Sequence, residues 1–424
     1  MKSFIISNLN SIFKPRGYIF FGWWIVVISS LIQFLGNLLW VQAYGVYAVI
    51  FQSEFGWSMT IISGAFALIK IVSGLLGPLQ GWLVDKYGPR LILTFGLVIF
   101  GLGFLILSQI QTLLSFYIII FVMSLGLSLG GHQTFMVSIV HWFNQHRAKA
   151  VALAQSGPAV CGLCVPIIAF GIEYQGWRFM SFISGLILIF LGIPLVQWVK
   201  HKPEDIEEKV DGVFNFSKNS VVTSNEKIEN FLTLNESLKT SAFWLISLGH
   251  AISLLSVSAV VVHLIPHLTL VLGLGLTTAS IIYSTVGIFQ LLGLLVGGYL
   301  GDRFDKRWIC IFCMFSNGMG ILLLAYAEEL SIIFLFCILH GLAFGIRIPQ
   351  IVSLRAEYFG IKSYGKILGF SSLIVMFGFL GGPMICGLLF DLYGNYSTAF
   401  FVIGIITILG GLCFILTKEP DGII

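Results

Sequence analysis

Charge is what this sequence has least of. Asp, Glu, Lys and Arg make up 10% of its 424 residues, against 57% hydrophobic, well under the roughly 25% charged share of ordinary soluble domains. Mean hydropathy is +0.98, so a soluble core cannot hide the apolar surface and a bilayer is the natural solvent. The net charge of +4 is too mild to suggest a nucleic-acid partner. Cysteine is sparse as well. Seven Cys, an odd number scattered through apolar runs, make no disulfide framework. The pairs Cys161/Cys164 and Cys310/Cys313 sit inside apolar runs and read as small polarizable packing residues, not as redox or zinc sites. The first residues, MKSFIISNLNSIFKPRGY, lack the basic–apolar–small pattern of a cleaved signal and read as a short cytoplasmic arm.

Long apolar runs are what the chain does have. A spanning helix needs about 20 predominantly apolar residues, and twelve such runs occur, near 19–50, 59–84, 91–108, 113–141, 148–171, 179–199, 242–270, 278–300, 308–327, 331–356, 366–390 and 397–417. The expected fold is therefore an all-α membrane protein of two six-helix bundles, 1–199 and 241–424, joined by a polar cytoplasmic loop at 200–240. Placing both termini in the cytoplasm puts 20 of the 23 Lys and Arg on the inside, as the positive-inside rule requires. Only Arg178 falls outside, and Lys70 and Arg347 fall within the membrane.

A charged loop occurs twice. GWLVDKYGPR (Gly81 to Arg90) and GGYLGDRFDKR (Gly297 to Arg307) both end the second helix of a half. Gly74, Gly77 and Gly81, like Gly293, Gly297 and Gly301, have spacings that let helices approach closely. Asp85 and Asp302, with Arg90, Arg303 and Arg307 around them, are expected to form conformational contacts that make and break on the cytoplasmic side. WFNQHRAKA at Trp142 is echoed by YFGIKSYGK at Tyr358, and EYQGW at Glu173 by DLYGN at Asp391. Glu173 and Asp391 sit at outer helix ends and read as solvated, or paired with Arg178. Such internal repeats suggest two bundles rocking about a site between them.

These duplicated loops, with the six-plus-six layout, resemble the major facilitator superfamily over nearly the whole chain. FGWWIVV at Phe21, GPLQGWLVDKYGPR at Gly77 and WFNQHRAKAVALAQSGPAVCG at Trp142 are similar to its monocarboxylate-porter branch, which includes bacterial oxalate/formate exchangers. The resemblance implies alternating access, with the first, fourth, seventh and tenth helices lining a central cavity. Departures withhold the substrate's identity. The eighth helix, Thr278 to Leu300, has no charge; Phe20 or Phe21 stands where the branch has an acid; and Lys366 begins the eleventh helix instead of lying midway along it.

Intramembrane charge costs at least about 2.5–3.5 kcal/mol on insertion scales and usually marks function. Arg347 lies mid-depth in the tenth helix, two turns beyond His340, and the resemblance places it in the cavity as an anion-binding group. Lys70 shares a stripe with Gly74, Gly77 and Gly81, so it faces protein, where it either touches substrate or fixes packing. Asn37, Trp40, Tyr44 and Tyr47 fall on one face of the first helix as a candidate cavity wall. Together with His340 these are the candidate substrate contacts. No Asp or Glu lies deep in a span, so histidine is the available proton carrier: His132 first, then His250, His263 and His267. His263 and His267 are spaced to share a metal, but no third ligand is evident, and no metal or cofactor is expected.

The expected activity is secondary transport of a small organic anion, a monocarboxylate class, by proton coupling or anion exchange, from a monomer in the cell membrane. Drug efflux is the alternative, disfavoured because a cation site needs a deep carboxylate. A non-transporting sensor is the other class. An enzyme is not expected, because no nucleophile–base or metal pattern appears.

Overall fold

A computed structural model describes residues 19–143, 146–210, 232–301, 303–360 and 364–420. Among them twelve helices are long and apolar enough to cross a membrane: α1 Phe21–Phe55, α2 Met59–Tyr87, α3 Pro89–Leu107, α4 Leu113–Ile139, α5 Lys149–Gln175, α6 Trp177–Gln197, α7 Ser241–Val271, α8 Leu276–Gly301, α9 Lys306–Ala325, α10 Leu330–Phe359, α11 Lys366–Tyr393 and α12 Ser397–Leu416. The described residues contain no strand. Each apolar run in the sequence corresponds to one helix, and the ends agree to within a few residues. The largest difference is at α1. Its apolar run stops near position 50, but the helix carries on through Gln52, Ser53 and Glu54 until Gly56 takes a left-handed conformation with φ 66°. There the Gln52 carbonyl accepts the Gly56 N–H and closes the turn.

The chain packs into two compact units. Unit 1 comprises the described residues of Met1–Val41, Leu75–Cys161 and Gln175–Ser224; unit 2 comprises those of Gln42–Gly74, Gly162–Tyr174 and Asn225–Ile424. The boundary thus falls inside α1, α2 and α5. In α1 it lies in a π-helical turn, Asn37–Gln42, and in α5 at the 3-10 turn Cys161–Cys164.

Unit 1 holds α3, α4 and α6 with the basic-loop halves of α1, α2 and α5. Gln80 of α2 donates to the Ser128 carbonyl (2.8 Å) and to the Thr134 hydroxyl (2.7 Å) on α4. Arg90 donates to Gln197 across α3 and α6 at 2.8 Å. Part of the central segment belongs here too: Glu208 accepts the Phe21 N–H that begins α1 (3.2 Å). Burial raises the Glu208 carboxyl pKa, and that hydrogen bond opposes the rise.

Unit 2 holds α7–α12 with the other halves of α1, α2 and α5. The expected close approach of Gly293 and Gly297 is present. A Cβ on either would lie 2.5 or 2.6 Å from the Leu342 or Ile346 carbonyl of α10, so any side chain there would push the helices apart. Gly81 differs from its counterpart, since a Cβ on it would meet nothing within 4 Å.

Candidate functional site

Arg347 is the largest departure from ordinary membrane packing. It is 2% exposed, and its Nη1 has no hydrogen-bond partner among the described residues. No ion pair reaches it there. The Phe344 ring lies 5.8 Å from its guanidinium. His340 is 1% exposed with an unpartnered Nδ1, beside the Phe336 ring at 5.3 Å. A guanidinium carries five N–H donors in a fixed fork and stays protonated. Here it is a buried cation with donor capacity to spare.

Lys70 is placed differently. Its ammonium sits 4.5 Å over the Phe379 ring of α11, a cation–π contact. Phe379 stacks on Phe66 at 5.7 Å, and Phe66 meets Tyr44 at 4.8 Å. Tyr44 in turn donates to the Ile62 carbonyl at 2.7 Å. The candidate face of α1 does not stay together as a wall. Trp40 is 1% exposed and packs edge-on against Phe104 of α3, while Tyr44 and Tyr47 are fully buried. Asn37 donates to the Gln33 carbonyl at 2.8 Å and opens the π-helical turn. That turn changes the angular step, so spacings counted on a regular helix do not carry through it.

The four candidate proton carriers have four environments. His132, exposed on α4, brings Nδ1 to 2.8 Å from Gln155 Nε2 on α5 and 3.3 Å from Gln33 Oε1 on α1. Gln33 and Gln155 were not expected as site residues, although glutamine in an apolar run is itself a signal. His250 Nδ1 lies 3.1 Å from Arg355 Nη2, which also donates to Ser371 at 2.8 Å. With an arginine as donor, that ring nitrogen must be the unprotonated one. The charge pattern assigns Arg355 to the cytoplasmic side, yet it is 3% exposed within α10.

His263 is sealed between Ser63 (3.0 Å), Tyr396 (3.1 Å) and the Pro383 carbonyl (3.0 Å). His267 stacks edge-on against Tyr396 and Phe400, with neither ring nitrogen hydrogen-bonded among the described residues. No group of three or more His, Cys, Asp or Glu is arranged to hold a metal among the described residues.

The carboxylates of Asp391 and Glu173 have definite work. Asp391, ending α11, accepts the Met59 and Thr60 N–H groups that begin α2, both at 2.8 Å. Glu173, ending α5, accepts the Thr277 N–H near the start of α8 at 3.0 Å, and the Thr277 hydroxyl as well. Neither is simply solvated, as the sequence suggested. Each satisfies orphan donors at the positive end of a helix dipole. His263 and Ser63 add a second tie between α2 and α7. At Gly387 a Cβ would lie 2.7 Å from both the Met59 carbonyl and Ser63 Oγ. Gln42 of α1 accepts from Tyr283 of α8, and Ser284 of α8 donates to the Gly162 carbonyl of α5 at 3.1 Å. Within unit 2, the ends of α1, α2 and α5 away from the basic loops are therefore fastened to α7, α8 and α11.

Of the repeated basic loops, Asp302 and the side chain of Asp85 lie outside the described residues. Arg303 covers the Tyr299 ring at 4.2 Å. Arg307 pairs with Asp305 at 2.7 Å and reaches the Thr417 carbonyl at 3.2 Å. Asp305 also caps α9 by accepting the Arg307 N–H at 2.8 Å, and Arg307 holds its carboxyl below the usual carboxylate range.

Comparison with known proteins gives this geometry a family. Monocarboxylate transporter 13 of Bos taurus is 26% identical over 397 residues, covering 92% of this chain and 88% of that protein. The benzoate transport protein of Acinetobacter baylyi is 22% identical over 448 residues, covering 97% and 93%. A crystal structure of a bacterial homologue of the human lysosomal transporter Spinster superposes with a TM-score of 0.73 at 14% identity, covering 93% and 96%, which shows the fold alone. The model of the Major Facilitator Superfamily matches residues 23–260 and 246–423. With twelve candidate spans and a family match over nearly its whole length, the chain belongs to the Major Facilitator Superfamily and is a multi-pass membrane transporter, not an enzyme.

Proposed function

We propose that this transporter carries a small organic anion of the monocarboxylate class by alternating access. The observation that carries the reading is Arg347: a buried guanidinium with an unpartnered Nη1 and no carboxylate paired to it among the described residues. Such a charge is costly to bury alone, and a carboxylate that docks on it offsets that cost in bidentate geometry. The names of the monocarboxylate and benzoate relatives support the same substrate class. The moving bodies are the six-helix halves, 1–199 and 241–424, with both termini and the 200–240 connection in the cytoplasm.

His132 is the proposed coupling residue. Nδ1 cannot accept from Gln155 and donate to Gln33 at the same time. As the neutral Nε2–H tautomer, its Nδ1 accepts from Gln155 on α5; protonated, its Nδ1–H donates to Gln33 on α1. Uptake of a proton therefore exchanges the Gln155 hydrogen bond for the Gln33 one.

The test of the anion reading is equilibrium binding of a labelled monocarboxylate to Arg347 variants. Arg347→Lys keeps the charge and loses the fork, so affinity should fall by roughly 1.5–3 kcal/mol if one charge-assisted bond is lost. Arg347→Ala should abolish binding while the protein still reaches the membrane. Normal binding by Arg347→Ala makes the arginine a packing residue and overturns the reading.

A further inference from the structure

His263 takes no part in the anion reading, yet three elements of unit 2 meet on its ring. Nε2 lies 3.0 Å from the Pro383 carbonyl of α11 and 3.0 Å from Ser63 Oγ of α2. Nδ1 lies 3.1 Å from the hydroxyl of Tyr396, the residue before α12. His263, Ser63 and Tyr396 are fully buried. A carbonyl only accepts, so Nε2 carries the hydrogen and shares it between Pro383 and Ser63. In the neutral ring Nδ1 is then bare and accepts the Tyr396 O–H. Both ring nitrogens are satisfied without charge. One turn back along α2, Met59 and Thr60 give their N–H groups to Asp391, so this end of α2 is held at two points.

We propose that His263 makes this fastening proton-dependent: the end of α2 closes on α7 and α11 over a neutral imidazole and parts when the ring is protonated. A further proton can go only to Nδ1. The bond to Tyr396 then reverses, with the new N–H donating and the phenol oxygen accepting. The phenol hydrogen loses its acceptor. Phe390 and Phe400 stack on the Tyr396 ring at 4.4 and 5.5 Å and carry none, and His267 meets it edge-on at 5.8 Å. Asp391 is already engaged by the two α2 N–H groups. A buried charge and an orphaned hydroxyl both cost free energy. When the first turns of α2 move off with Ser63, water can reach both groups and remove that cost. The proton therefore binds the parted arrangement in preference, and acid favours parting. The other ionisable side chains around this point are Lys70 of α2, His267 of α7, Cys386 and Asp391 of α11, and Tyr396. The proposal depends neither on the anion reading nor on His132.

The test uses the purified full chain in lipid nanodiscs, without substrate. Spin labels at Ser53→Cys, just before the turn into α2, and at Tyr393→Cys on α11 are both at exposed positions. Distance distributions at pH 7.5 and 5.5 give the ratio of parted to fastened molecules. For an imidazole that titrates normally when parted and stays neutral when fastened, the ratio should rise about tenfold in acid. His263→Gln offers a donor and an acceptor but no titratable nitrogen, so its distribution should not change with pH. His132→Gln should leave the tenfold change intact. Ser63→Ala removes the α2 contact with the ring and should raise the ratio at pH 7.5 about fivefold. It keeps the test open if His263→Gln does not fold.

Identical wild-type distributions at the two pH values overturn the proposal. So does a change that survives His263→Gln, which Asp391→Asn and His267→Gln would then trace to its source. A change lost in His132→Gln places the proton elsewhere and overturns it too. An unmoved ratio in Ser63→Ala shows that α2 is not held through the ring, with the same consequence.

Discussion

At the scale of single residues, the proposed function divides the work between His132 and Arg347. Arg347 carries fixed charge, and His132 carries the only imidazole among the four candidates that is exposed on its helix. His250 faces an arginine, His263 is held by three partners, and His267 is enclosed by Tyr396 and Phe400. If uptake is proton-coupled, His132→Gln should flatten its pH dependence between about 5.5 and 7.5, the window in which imidazoles titrate. An initial-rate pH series in proteoliposomes reads this directly, and an unchanged profile moves the proton elsewhere. The intramembrane position of these groups was legible in the sequence, because Arg347, Lys70 and His132 interrupt apolar runs. Their partners were not. Gln33 and Gln155 acquire a role only once α1, α4 and α5 are packed, and the π-helical turn at Asn37 breaks the spacing on which the Trp40–Tyr44 face was argued.

At the scale of helices, Asp391 of α11 caps the start of α2 as Glu173 of α5 caps the start of α8. Each cap is worth about 1 kcal/mol by the cost of losing an N-cap. Removing both should shift the equilibrium roughly 30-fold toward the state in which the outer ends part. Spin labels at Ser53→Cys and Tyr393→Cys, both exposed, read that distance within unit 2. The Glu173→Ala/Asp391→Ala double variant should populate a longer distance, and an unchanged distribution would show that the caps only finish helices. The repeated EYQGW and DLYGN segments were visible in the sequence, but their targets are backbone N–H groups, which no residue pattern announces. Helix existence was legible because twenty apolar residues have no other stable home in a bilayer. The end of α1 was not, because backbone geometry at Gly56 sets it and hydropathy does not.

At the scale of the whole molecule, three observations converge: twelve candidate spans, helix ends fastened by caps within unit 2, and a buried guanidinium with spare donors. Under the proposed reading, the carrier releases contacts at one end to accept an anion. Reconstitution into proteoliposomes, with uptake of a radiolabelled carboxylate panel measured beside amine and neutral analogues of the same size, tests this most directly. Saturable uptake confined to the carboxylates, and lost in Arg347→Ala, is the expected outcome. Saturable uptake of the amines or neutral analogues in place of the acids would show that the cargo is not an anion.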